Sequence, residues 1–244
     1  MIYRMKLSVP SYLCDVDDLL HTWAFVRLCQ EVTEYHGNCT GIGFKTLLAQ
    51  NHAWIITRAL YHIHRLPEAF EDVEFSTWSR GHNGVVAWRD YRVTDADGEP
   101  LLTGTSYWPM IDMTTRRPLR LGDVIAGYES HPDRATDHDQ IDKLSIPHDA
   151  VADCSLEREV AYAMLDHTQH VNNSEYIHLA FDLLHLVGFD MHCSFLLELN
   201  YNHESRVGDT LSARHYKVDG VHYVEIKSGD RQCVVARITP DGRP

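Results

Sequence analysis

Residues 165–176, LDHTQHVNNSEY, concentrate side chains that can move protons or bind polar atoms. Asp166, Thr168 and His170 alternate along this segment, and alternate residues of an extended segment point to the same side. His170 can transfer a proton near neutral pH, while Asp166 can hold a partner in place or act on water. We therefore predict that these three side chains face one substrate atom.

The apolar segment that follows predicts a buried helix whose first turn adjoins those side chains. Asn172 followed three residues later by Glu175 has the form of a capping box, and Gly188 is predicted to end the helix. The backbone N–H groups at such a helix start can stabilise an oxygen on which negative charge develops. Val171, Asn172 and Asn173 are therefore predicted to support the loop and this oxyanion.

A second carboxylate, Glu204, follows an apolar strand in the sequence YNHES. If that strand lies beside the helix start, Glu204 can activate a water for attack on a carbonyl. The sequence contains no G-x-S-x-G motif, so we favour direct attack by water over a covalent serine intermediate. Taken singly, such a polar loop is usually a cap and such a carboxylate is usually solvated. The functional interpretation depends on their combination with the buried helix.

The rest of the sequence predicts the same succession of elements twice. In the first half, a long helix is predicted within DVDDLLHTWAFVRLCQEVTEYHG, with Asp15, Asp17 and Asp18 as caps and Gly37 as its end. Alternating strands follow each helix. We predict an α+β protein with a tandem hot-dog fold, in which two long buried helices are each wrapped by a curved antiparallel sheet. The two sheets can pair edge to edge.

These repeats define the predicted domain boundaries. Residues 1–125 form the first hot-dog domain, and residues 154–244 form the second, which carries the candidate catalytic residues. Residues 126–153 are rich in Asp, Pro and Gly and show weak periodicity, which predicts a linker.

Composition limits the classes of partner and site. Thirty-five acidic residues against 22 Lys and Arg give a net charge of −13, which argues against nucleic-acid or anionic membrane surfaces. No apolar run approaches the ~20 residues that span a bilayer, and no secretory signal is recognisable. The six scattered cysteines favour reduced thiols in a cytosolic protein. The 17 histidines lack familiar metal-site spacing, so neither a metal nor a cofactor is expected.

Several of these motifs resemble those of the acyl-acyl carrier protein (acyl-ACP) thioesterases. The family's catalytic loop follows Asp-x-Asn-x-His-Val-Asn-Asn-x-x-Tyr, and residues 166–176 here read DHTQHVNNSEY. A later family motif has Glu in a Tyr-x-x-Glu context, usually before Cys, and residues 201–205 read YNHES. The first half contains RLPEAFEDVEFSTW, WRDYRVTDADGEPLLTGTSYW and IDMTTRRPLR, which are similar to family patterns. The resemblance covers nearly the whole chain.

The resemblance implies hydrolysis of the thioester of fatty acyl-ACP. Glu204 and His170 would position and activate the water, Asp166 would support the loop, and the helix-start amides would hold the oxyanion. Two positions depart from the family pattern, because Thr168 replaces Asn and Ser205 replaces Cys. A hydroxyl offers one donor where a carboxamide offers two, so we expect a slower reaction or a water in place of the amide.

Substrate-binding residues are predicted in the first domain, which would supply an apolar acyl pocket. Trp54 and Trp78 are candidates for lining it, although they fit a plain core equally well. Arg116, Arg117 and Arg120 form the densest basic cluster and are candidates for docking the acidic carrier protein. The absence of the plant transit peptide favours a bacterial, cytoplasmic member, which can be a monomer or a homodimer.

Three other functions stay open. Hydrolysis of acyl-CoA would use the same chemistry, with coenzyme A in place of the carrier protein. A dehydratase of the same fold would also use a His with a carboxylate, but it would form an enoyl product and release no thiol. A non-catalytic acyl-binding protein is the third alternative, because Thr168 replaces the family's Asn. The acyl chain length is a further open question.

Overall fold

The structure is a computed structural model that describes residues 1–125, 128–138 and 140–242. Its helices are α1 (Thr22–Cys39), α2 (Phe44–Ala49), α3 (Leu121–Val124) and α4 (Asn173–Leu186). Its strands are β1 (Tyr3–Ser8), β2 (His52–Trp54), β3 (Arg58–Ile63), β4 (Asp72–His82), β5 (Val86–Thr94), β6 (Pro100–Asp112), β7 (Cys154–Glu159), β8 (Phe195–Tyr201), β9 (Thr210–Val218), β10 (Val221–Ser228) and β11 (Arg231–Pro240).

The strands form one continuous sheet that runs through both halves of the chain. Their order is β1-β4-β5-β6-β3-β8-β11-β10-β9-β7, and β2 pairs with β6 outside this series. The halves join where β3 pairs antiparallel with β8, with Tyr61 opposite Leu197. The predicted edge-to-edge pairing is therefore confirmed, and it covers the inner edge of each half.

The long helices α1 and α4 share one hydrophobic core with this sheet. Phe25 and Val32 of α1 are fully buried, as are Ile177 and Leu183 of α4. The prediction of two long buried helices is confirmed, although Leu186 at the end of α4 is 63% exposed. Because both helices pack on the same sheet, the start of α4 is held beside the middle of α1.

The predicted boundaries of α1 are wrong at both ends. The helix begins at Thr22, and the Asp15 carboxylate accepts a hydrogen bond from the backbone N–H of Asp17 instead of capping the helix. This bond closes a turn before the helix. Gly37 lies inside α1 and packs closely against Gly43, since a Cβ added to Gly37 would lie 3.2 Å from the Gly43 Cα.

The predicted linker packs against the face of the sheet opposite the helices. Side chains of four strands bind its backbone: Arg58 binds the Ile141 oxygen, Trp78 binds the Asp133 oxygen, and Asp90 and Asn200 accept from Ala135 and Leu144. These strands come from both halves, so the segment also ties the halves together. Positions 126, 127 and 139 of this segment lie outside the described residues, and the domain boundaries at 125 and 154 stay predictions.

The structure also bears on disulfides, membrane-spanning helices and metal sites. The six cysteines form no disulfide with one another. Within the described ranges, no helix combines the length and apolar character that crossing a bilayer requires. Nor do His, Cys, Asp or Glu side chains of those ranges gather in a group that could hold a metal ion.

Candidate active site

The segment before α4 forms a tight hairpin turn and not the extended loop that the sequence predicted. Leu165 and Val171 form an antiparallel bridge, and the Asp166 N–H donates to the His170 oxygen at 2.9 Å. Gln169, at the tip, has a positive φ of 64°. The turn nevertheless brings the three alternating side chains together, because they lie on the same side of the hairpin.

Hydrogen bonds connect Asp166, Thr168 and His170 in a row. Asp166 Oδ1 accepts from the Thr168 backbone N–H at 2.8 Å and from its hydroxyl at 2.6 Å. The same hydroxyl lies 3.1 Å from His170 Nδ1. Because the hydroxyl donates its one proton to the carboxylate, it accepts from the Nδ1–H of His170. Asp166 thus orients the imidazole through Thr168, so that the second ring nitrogen, Nε2, faces Glu204.

Glu204 lies at the other end of this row. Its Oε1 is 3.2 Å from His170 Nε2. The backbone explains the approach, because the Val171 N–H donates to the Ser205 oxygen at 2.9 Å and joins the two segments. The structure therefore places the predicted acid and the predicted histidine side by side. Ser205 itself is fully buried and contacts the Cys233 Sγ at 3.2 Å.

Two arginines bind the carboxylate of Glu204. Arg116 Nη2 lies 2.8 Å from Oε2, and Arg206 Nη2 lies 3.2 Å from Oε1 and 3.1 Å from His170 Nε2. Partial burial raises the pKa of Glu204, but the Arg116 hydrogen bond and the neighbouring positive charges outweigh it, so the pKa lies below its ordinary value. Glu204 is consequently a carboxylate at neutral pH.

The sequence analysis did not identify Arg206 as a site residue. Its position two residues after Glu204 was a usable signal, since a cation so close in the chain can reach the same carboxylate. Arg116 was predicted only as a carrier-docking residue. Its partner Glu204 lies 88 residues away in the sequence, so no local pattern indicated this ion pair.

The start of α4 forms another part of the site. Asn172 caps the helix, because its Oδ1 accepts from the backbone N–H of Ser174 at 2.9 Å. Glu175 does not complete the predicted capping box, because it forms an ion pair with α1 at 2.7 Å. The cap prediction is confirmed. The capping-box prediction is wrong, because Arg27 of α1 binds the Glu175 carboxylate instead.

Three backbone N–H groups were predicted to support the loop and the oxyanion, those of Val171, Asn172 and Asn173, and they are not equivalent. Val171 N–H donates to the Ser205 oxygen and Asn172 N–H donates to the Met164 oxygen, each at 2.9 Å. Within the described residues, the Asn173 N–H donates to no backbone or side-chain oxygen. Val171 and Asn172 therefore hold the loop, and Asn173 is the amide available for a substrate oxygen.

A cleft of about 780 Å³ opens between these groups and the first half of the chain. This volume falls within the range of about 300–1,000 Å³ that is typical of small-molecule sites. The cleft is lined by all the predicted catalytic and oxyanion residues, which are Asp166, Thr168, His170, Val171, Asn172, Asn173 and Glu204.

The predicted substrate-binding residues fall in different places. Trp54 lines the cleft, whereas Trp78 is buried at the linker, where its Nε1 donates to the Asp133 oxygen. Trp78 therefore does not line this cleft, because its ring lies on the sheet face opposite the helices. Arg117 and Arg120 are exposed outside the cleft wall.

The first half contains a counterpart of the hairpin turn at residues 165–171, which we call the catalytic turn after its predicted role. The Asp15 carboxylate accepts from backbone N–H groups two and four residues later, as the Asp166 carboxylate does. Asp18 and Gln169 occupy the same place in the two turns, with φ values of 61° and 64°. The Asp15 to Asp18 pattern therefore builds a turn of the catalytic type, which explains why it does not cap α1.

This counterpart lacks the groups that the chemistry needs. Leu19 stands where the catalytic turn has its histidine. The bond that joins the catalytic turn to the residue after Glu204 is matched by a bond from Leu20 to Pro67, the residue after Leu66. The positions of His170 and Glu204 are thus occupied by leucines in the first half. The candidate proton-transfer groups therefore lie in the second half.

Two family profiles together match most of the chain. The profile described as "Acyl-ACP thioesterase N-terminal domain" matches residues 1–128, and the "Acyl-ACP thioesterase C-terminal domain" matches residues 147–237. The chain belongs to the acyl-ACP thioesterase family. The resemblance noted from the sequence motifs is therefore confirmed.

Plant proteins named as acyl carrier protein thioesterases or hydrolases are similar to this chain. It is 27% identical over 220 residues to the palmitoyl-acyl carrier protein thioesterase, chloroplastic, of Gossypium hirsutum, which covers 84% of this chain and 52% of the relative. It is 29% identical over 218 residues to the dodecanoyl-[acyl-carrier-protein] hydrolase, chloroplastic, of Umbellularia californica, covering 84% and 56%. The chain thus spans about half the length of these relatives.

Solved structures of acyl-ACP thioesterases resemble this one along their whole length. The acyl-ACP thioesterase from Bacteroides thetaiotaomicron superimposes with a TM-score of 0.85 over 98% of each chain, at 22% sequence identity. At this identity the similarity establishes the fold. The predicted tandem hot-dog fold is therefore confirmed.

Proposed function

We propose that this chain hydrolyses the thioester of fatty acyl-ACP and releases the free fatty acid. The observation that supports this most is the 3.2 Å contact between Glu204 and His170, beside the unpaired Asn173 N–H at the start of α4. The cleft between the halves offers space for an acyl chain next to these groups. Membership of the family favours a carrier-bound acyl group as the substrate.

In this mechanism the thioester carbonyl lies between the start of α4 and Glu204. Glu204 and His170 hold a water, whose oxygen bonds to the carbonyl carbon while its proton passes to this pair. The Asn173 N–H and the positive end of α4 stabilise the resulting oxyanion. The carbon–sulfur bond then breaks, and the carrier's thiol leaves with the proton that the pair returns.

Docking of the acidic carrier is a further proposal. Arg117 and Arg120 are exposed, and neither forms an ion pair with the rest of the described chain. Arg116 is less suited to docking, because it binds Glu204. Charge reversal of Arg117 and Arg120 should raise KM for acyl-ACP and leave KM for a small thioester unchanged, whereas equal effects on both substrates would argue against docking there.

The cellular setting is part of the same proposal. Six cysteines without a disulfide among them favour a cytoplasmic location. The net charge of −13 disfavours nucleic-acid partners. Fused hot-dog halves are compatible with a monomer as well as with a homodimer.

The test is a panel of acyl-ACP substrates of different chain lengths, each compared with the matching acyl-CoA. We expect one free thiol for each fatty acid released, with faster turnover of the carrier-bound substrate. Faster turnover of acyl-CoA would favour the acyl-CoA thioesterase. An enoyl product without thiol would indicate a dehydratase, and retained acyl chains without thiol release would indicate a binding protein.

A further inference from the structure

The cleft wall carries buried polar groups for which the described residues provide no hydrogen-bond partner. The hydroxyls of Tyr176 and Tyr201 and the Nε2 of Gln30 are buried, and none has a hydrogen-bond partner among the described residues. All three residues line the cleft. Because an unpaired buried polar group is costly, such groups mark a place where a ligand or water supplies the missing bond.

The two tyrosines lie close to the candidate oxyanion amide. Tyr176 is three residues after Asn173 in α4, which is slightly less than one helical turn, or ~4.5 Å along the axis. Ser205 lies near the Tyr176 hydroxyl, but no hydrogen bond of ordinary geometry joins them. Burial and the neighbouring Tyr176 raise the pKa of Tyr201, so its phenol stays protonated and can donate.

Gln30 approaches the same end of the cleft from α1. It lies three residues after Arg27, and Arg27 binds Glu175, the residue that precedes Tyr176. Residues three apart share one face of a helix, so Gln30 and Arg27 both face the start of α4. The three unpaired groups therefore belong to three elements that line the cleft, namely α1, α4 and β8.

The apolar part of the cleft is built separately. Leu47 belongs to a second hydrophobic cluster, and its neighbours Ile42, Trp54, Ala87 and Ile125 also line the cleft. Tyr176 and Tyr201 instead pack with the main core. The cleft thus has a polar region beside the catalytic turn and a distinct apolar wall supplied by the first half.

We propose that the cleft selects acyl chains with an oxygen on C3, as a hydroxyl or keto group, over plain chains of the same length. The inference rests on the proposed thioesterase function and names its substrate class. With the thioester carbonyl at Asn173, C3 lies two bonds further along the chain, in the direction of Tyr176 and Tyr201. Tyrosine hydroxyls and the Gln30 amide can donate to that oxygen, and the remaining alkyl chain contacts the apolar wall.

The test compares kcat/KM for thiol release from 3-hydroxyacyl-ACP and from plain acyl-ACP of equal length. The wild-type protein should prefer the hydroxylated chain by about 10- to 100-fold, the scale of one or two buried hydrogen bonds. Tyr201→Phe and Gln30→Met should each lower this preference about tenfold. Tyr216→Phe is the matched control, because Tyr216 is buried in β9 away from the cleft, and it should leave the ratio unchanged.

Two results would overturn the inference while leaving the thioesterase proposal intact. One is a wild-type preference for the plain chain, which would mean that water satisfies the polar groups. The other is an equal loss on both substrates in Tyr201→Phe and Gln30→Met, which would assign these groups to the carrier's pantetheine arm. If one variant does not fold, the other supplies the same ratio. Absence of thiol release from both substrates in the wild-type protein would reject the thioesterase proposal itself.

Discussion

Replacing Thr168 with valine removes the hydroxyl between Asp166 and His170 and keeps the shape of the side chain. The hydroxyl donates to Asp166 Oδ1 at 2.6 Å and accepts from His170 Nδ1 at 3.1 Å. In Thr168→Val the imidazole loses this acceptor, while Asp166 retains its bond from the backbone N–H of residue 168. The turn is therefore preserved, but His170 is no longer held in the orientation that directs Nε2 to Glu204.

The size of the effect follows from these contacts. The lost bonds include the one from the Thr168 hydroxyl to the Asp166 carboxylate. A hydrogen bond to such a charged group contributes about 1.5–3 kcal/mol, and about 1.4 kcal/mol changes a rate tenfold. The His170 side chain is 16% exposed, so water replaces part of the lost bond and the lower half of this range applies. We expect kcat to fall about 10- to 40-fold in Thr168→Val. KM should change much less, because the bond orients the proposed catalytic histidine and does not hold the substrate.

The measurement is steady-state thiol release from acyl-ACP by purified variants with matched melting temperatures. Thr168→Ser keeps the hydroxyl and should retain most of the activity. Thr168→Asn introduces the carboxamide of the family pattern and should be at least as active as the wild-type protein. A folded Thr168→Val protein with the wild-type rate would refute the idea that Asp166 acts on His170 through Thr168.

Three further predictions concern ionisation and stability. Because Arg116 helps to lower the pKa of Glu204, Arg116→Gln should move the acid limb of the kcat/KM profile to higher pH, while Arg117→Gln leaves it in place; coincident profiles would contradict this. Burial and a neighbouring histidine lower the pKa of His222 from 6.5 to about 4, so the folded state favours its neutral form and loses stability as pH falls from about 6.5 to 4. Urea unfolding should show on the order of 2–3 kcal/mol less of this loss in His222→Gln, and identical pH dependence would count against the assignment. Asn172→Ala should lower the free energy of unfolding by about 1 kcal/mol through loss of the helix cap, and an unchanged unfolding midpoint would show that the cap contributes nothing.

The sequence predicted the candidate site well where the contacts are local. Asp166, Thr168 and His170 are spaced by two, and any hairpin or extended segment places them on one side. Asn172 precedes an apolar run, so its role as a cap was also readable. Glu204 was predicted beside them only on the condition that its strand adjoins the helix, which the backbone bond from Val171 satisfies.

Long-range contacts account for what the sequence did not predict. Asp15 matched a helix-cap pattern, but the turn that it stabilises is set by the duplicated architecture of the two halves. Glu175 matched a capping box, yet Arg27 lies 148 residues away in the sequence and binds it. The predicted linker lacks a regular apolar period, and its described residues are attached to the sheet largely by hydrogen bonds to their backbone. In each case the deciding partner comes from another element.

The direct test of the catalytic assignment is the single-turnover rate of thiol release from acyl-ACP by Glu204→Gln. Glutamine keeps the size of the side chain but cannot take a proton from water. The rate should fall by about 10²-fold or more while the protein still binds acyl-ACP, which is the usual scale for loss of a general base. A Glu204→Gln protein that releases thiol at the wild-type rate would show that the carboxylate beside His170 does not activate the water.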